Sequence, residues 1–123
     1  FALGDDFERA VGFYRDVVGL REAATFVTPG VGDARGVLLD AGRATLELNT
    51  PAQKRAIDII EVGHGTDAPI RVALQVPDVE RLTNTLVDAG ALVIAPAVTT
   101  PWNSVNARLQ APGGLELTVF QEL

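Results

Sequence analysis

The hydrophobic pattern of the chain changes period several times, and then the whole series of changes repeats. From residue 7 to 18 the apolar side chains Phe7, Ala10, Val11, Tyr14, Val17 and Val18 recur at helical spacing, which predicts one buried helix face. Asp5 and Asp6 precede it, with Glu8 three residues beyond Asp5 in capping-box spacing, and Gly19 stops it. Strands are expected at residues 21–28, 35–40 and 43–49, divided by Pro29-Gly30 and Ala41-Gly42. Thr50-Pro51 opens a second helix, with proline in its favoured first-turn position and Ala56, Ile57, Ile59 and Ile60 as its apolar residues. A Gly-rich linker, GHGTDAP, comes next.

The order then restarts. IRVALQV reads as a strand, and Pro77-Asp78 opens a helix with Val79, Leu82 and Leu86 inward and Gly90 at its end. ALVIAPAV, SVNARLQ and GLELTVFQ read as three more strands. The halves align in detail: Asp6 and Arg9 match Asp78 and Arg81 at an offset of 72, while Gly19 matches Gly90 and Gly42 matches Gly113 at 71. Each half is a strand, a helix and three strands, so the chain is an internal duplication. The expected fold is α+β: two βαβββ modules whose four-stranded sheets surround a shared concave cavity, the natural place for a ligand. The modules are expected at residues 1–50 and 70–123, with the helix and linker at 51–69. Because Phe1 already reads as part of a strand, the first module's opening strand is expected to be truncated in this numbering.

The last strand raises the question of chemistry. In GLELTVFQ, Leu115, Leu117 and Val119 share one face, which leaves Glu116, Thr118 and Phe120 on the other. A carboxylate and a hydroxyl in an otherwise apolar strand suit a wet, cavity-lining face. Glu47, between Leu46 and Leu48, is placed the same way. Arg71 and Arg108 lie in apolar strands and together could anchor a carboxylate or phosphate, although a snorkelling surface arginine is the commoner case. Trp102, with Asn103 and Asn106, suits a cavity rim that stacks on a flat ligand; a core plug explains it equally well. His64 is expected exposed in the linker, and Tyr14 packed in the core.

The segments DDFERAVGFYRDVVGL, VALQVPDVERL and APGGLELTVFQ resemble the vicinal oxygen chelate superfamily, which includes glyoxalase I, extradiol dioxygenases and bleomycin-resistance proteins. The resemblance spans essentially the whole chain. It implies the paired-module fold, a homodimer that can exchange modules, and, in metal-dependent members, four ligand positions on the first and last strands of both modules. Carried over, those positions fall on Glu47, Thr118 and Arg71, with the fourth before Phe1. Only Glu47 matches a family ligand. A neutral hydroxyl is a poor ligand, and a guanidinium cannot coordinate a cation. Arg71 would instead neutralise Glu47 or an anionic ligand group. A shifted metal site using Glu47, Glu116 and the unseen residue is the remaining route, but Glu116 is displaced along the strand by roughly 6–7 Å.

Composition narrows the classes further. A net charge of −6 argues against nucleic acid, and no apolar run is long enough to span a membrane. There is no cysteine and a single histidine, hence no thiolate metal site and no Cys- or His-based nucleophile arrangement. The expectation is a cytoplasmic homodimer that binds a small organic ligand, such as an antibiotic-like compound or another metabolite, with no metal and no other cofactor. The alternative is a divalent-metal-dependent lyase, isomerase or dioxygenase.

Overall fold

A computed structural model describes residues 2, 4 and 6–123 of the chain. The architecture is α+β, with two compact units, Phe1–Ile57 and Asp58–Leu123, each built on its own sheet. In the first unit α1 (Phe7–Gly12) continues as a π-helical turn (Phe13–Val17), followed by β1 (Glu22–Val27), β2 (Arg35–Ala41) and β3 (Ala44–Asn49). The three strands form an antiparallel meander in the order β1-β2-β3. Phe7 and Val11 of α1 pack with Val37, Leu39 and Leu48 of the sheet, and Ala10, Tyr14, Leu20 and Leu46 close around them.

The expected apolar face of the first helix holds only as far as Tyr14. The Val18 N–H reaches back five residues to the Phe13 carbonyl at 2.9 Å, which inserts a residue into the turn and rotates the end of the helix. Val17 and Val18, expected inward, are exposed as a result. Gly19 then adopts φ +89 and Gly90, its repeat partner, φ +108, the left-handed conformation that ends a helix at low steric cost. Of the opening strand, Ala2 forms an isolated parallel bridge with Asn49. Phe1 and Leu3, and the Asp5 end of the expected capping box, lie outside the described residues.

In the second unit β4 (Arg71–Gln75), α3 (Val79–Asp88), β5 (Leu92–Thr99), β6 (Ser104–Gln110) and β7 (Glu116–Glu122) come in the expected order. The sheet runs β4-β7-β6-β5, with β4 parallel to β7 and the other pairs antiparallel. Val79 of α3 packs with Ala91, Ala107, Leu109 and Val119, and Val76, Leu82, Leu86 and Val105 flank that core. Strand alternation puts Ser104, Asn106 and Arg108 of β6, with Glu116 and Thr118 of β7, on the opposite face, and all five are buried.

Helix α2 (Pro51–Glu61) runs across the boundary between the units. Thr50 starts it, its hydroxyl accepting the Gln53 N–H at 3.3 Å. Ala56 and Ile57 are buried, Ile59 and Ile60 are 50% and 37% exposed, and Asp58 and Glu61 are buried. The sequence pattern favours apolar side chains inward. The helix in fact turns two carboxylates inward, because a pair of arginines awaits them.

Candidate functional site: a buried charge cluster

Arg108 sits in the middle of the polar face of the second unit's sheet, with its side chain fully buried. Its Nη1 donates to Asp58 Oδ1 at 2.8 Å and to Glu116 Oε1 at 2.7 Å, and its Nη2 donates to Glu61 Oε2. Arg71, at the start of β4, lies 3.6 Å from Asp58 Oδ1 and 4.0 Å from Glu61 Oε2. Burial alone would lower the Arg108 pKa; hydrogen bonds to Asp58, Glu61 and Glu116, with the Glu61 charge, more than offset that and hold it above its ordinary value. Arg108 therefore stays cationic at any working pH.

Local chemistry explains why the end of α2 belongs here. Asp58 and Glu61 are three residues apart, so they lie on one side of the helix. Both stand in the last turn, where the macrodipole is negative and carboxylates are disfavoured, and that turn holds no basic residue. The arginines of β4 and β6 supply the missing cations. Thr66 of the linker completes the shell: its N–H donates to Asp58 Oδ2 at 3.1 Å and its hydroxyl lies 3.2 Å from Glu116 Oε1. On the other flank Asn106 Nδ2 donates to Glu61 Oε1 at 2.6 Å, and the Ser104 hydroxyl donates to Asn106 Oδ1. The ion pairs here join three carboxylates to two guanidinium groups.

Of the residues singled out in the sequence, the structure brings Arg71, Asn106, Arg108 and Glu116 into this one network. Thr118 is the cross-strand partner of Arg108 on the same face. Trp102 and Asn103 stand apart from it, on the turn between β5 and β6. Trp102 is half exposed, and Asn103 takes φ +60, which asparagine tolerates. Glu47 belongs to the first unit, half-buried, where its carboxylate accepts from Asn49 Nδ2 at 2.9 Å. His64 is exposed and Tyr14 packs at the edge of the first core, as expected. Asp58, Glu61, Thr66 and Ser104 escaped the sequence reading. Two acids in the last turn of a helix, a turn that itself holds no basic residue, were the available signal.

The family resemblance implies a metal, and the described residues do not fit one. Among the described residues no three histidine, aspartate or glutamate side chains are arranged to hold an ion. Asp58, Glu61 and Glu116 do converge, but on a guanidinium that saturates them. Glu116, the candidate for a shifted metal site, is bound by Arg108 and Thr66.

The profile of the Glyoxalase/Bleomycin resistance protein/Dioxygenase superfamily matches residues 2–119. The chain belongs to that superfamily. Hypothetical protein BH1468 from Bacillus halodurans C-125 is similar over 99% of this chain and 91% of its own, with a TM-score of 0.68 and 18% identity. Methylmalonyl-CoA epimerase from Mycobacterium tuberculosis is similar over 99% of this chain and 83% of its own, with a TM-score of 0.64 and 20% identity. A Streptomyces coelicolor methylmalonyl-CoA epimerase variant, in complex with 2-nitronate-propionyl-CoA, covers 98% of this chain and 91% of its own, with a TM-score of 0.63 and 20% identity. At such identities the superfamily fold is shared, and the likeness carries nothing about activity. No curated protein matches the chain. No helix among the described residues is long and apolar enough to cross a membrane.

Proposed function

We propose that this chain is a small-molecule-binding member of the superfamily that works without a catalytic metal. The observation that carries this reading is the buried Arg108 guanidinium, on which three carboxylates of the second unit converge. A fixed protein cation does there what a divalent ion would do: it neutralises the carboxylates and holds the sheet face in order. Two of the three visible positions that metal-dependent relatives use are an arginine and a threonine, which supports the same view. The ligand is an organic metabolite or antibiotic-like compound, and the protein acts as a homodimer.

Elemental analysis of protein purified without chelators tests the proposal. The expected content of nickel, zinc, manganese and iron is far below one ion per chain, and Glu47→Ala leaves it unchanged. A stoichiometric metal that disappears in Glu47→Ala would overturn the reading in favour of a metal-dependent lyase, isomerase or dioxygenase.

A further inference from the structure

We draw no further inference here: the strongest candidate, the exposed apolar surface patch of Ile70, Val72 and Leu74 at the β4 edge of the second unit's sheet, carries nothing because nothing among the described residues shows what covers it.

Discussion

In the first unit Val37 pairs with Leu48 under α1, and in the second Ala107 pairs with Val119 under α3. Those pairs hold equivalent places in the repeat, and both are buried and apolar. One step along each ladder the halves part. Leu38 faces Glu47 in the first unit, and Arg108 faces Thr118 in the second. The duplicated module has kept its core and changed the chemistry of its other face. A core face tolerates only apolar side chains of about the right volume, whereas the opposite face answers to whatever covers it. In the second unit that cover is the acidic end of α2, and the sheet has answered with arginine.

The comparison breaks most sharply at Arg108. Arg108→Met strands Asp58, Glu61 and Glu116 around a buried site and is expected to cost about 4 kcal/mol. Its counterpart Leu38→Ala, on a half-buried side chain, should cost about 1 kcal/mol. Urea denaturation gives the loss, and hydrogen exchange read by mass spectrometry should place it in β6, β7 and the last turn of α2. Neutralising the cluster in the Arg108→Met background, with Asp58→Asn, Glu61→Gln and Glu116→Gln, should recover part of it. An Arg108→Met protein as stable as the parent would mean that the ion pairs are not formed in solution.

The core faces should show the opposite result, near equality. Leu39 and Leu109 are both fully buried, in β2 and β6 respectively. Leu39→Ala and Leu109→Ala are each expected to cost about 3 kcal/mol, with exchange rising in the unit that carries the change. A large difference between them would show that one core relaxes around the cavity and the other does not.

The sequence made the repeat and the core faces legible, because a module's periodicity is local. SVNARLQ is the strand Ser104–Gln110 as expected, and Val79, Leu82 and Leu86 of α3 do face the sheet. The polar face was half legible: alternation placed Glu116 and Thr118 together, but it left Arg108 between an anchor and a surface arginine and did not show what binds them. Asp58 and Glu61 were missed because their partner lies 47 to 50 residues away. Two acids in a last turn without a basic residue are a weak signal of burial, and Ile59 and Ile60 beside them look like the better inward face. The offset between the halves also misled in detail. Gly42 and Gly113 match in sequence and both take positive φ, yet β2 and β3 are joined by two residues and β6 and β7 by five. That change of hairpin sets Arg108 opposite Thr118.

A smaller effect is expected at Gly36, which stands in the first ladder where Asn106 stands in the second. A Cβ at Gly36 would come within 2.3 Å of Asn49 Oδ1 and 2.4 Å of the Phe26 ring. Gly36→Ala should cost about 2 kcal/mol by overpacking, and Phe26→Ala in the same chain should relieve part of the strain. Asn106 instead uses its side chain to hold Glu61. The same ladder position thus serves close packing in one unit and the charge cluster in the other. Equal stability of Gly36→Ala and parent in urea would show that Phe26 does not lie over β2 in solution.

The least effect is expected at the helix starts, and there the duplicated residue is the same while its work differs. Asp78 has an extended backbone and accepts the Arg81 N–H at 3.0 Å, a formed N-cap. Asp6, its repeat partner, makes no such bond; its carboxylate takes the exposed Arg9 guanidinium at 2.8 Å. Asp78→Ala should therefore cost about 1 kcal/mol. Asp6→Ala should cost only a few tenths, since an exposed ion pair of this kind contributes little. The salt dependence should run the other way. High salt screens an exposed charge pair and leaves a cap largely intact, so the small Asp6 effect should vanish in 1 M salt, where the Debye length is about 3 Å, while most of the Asp78 effect persists. Equal losses for the two variants at low salt would show that α1, like α3, is capped by its aspartate, and that the modules diverge only on their polar faces.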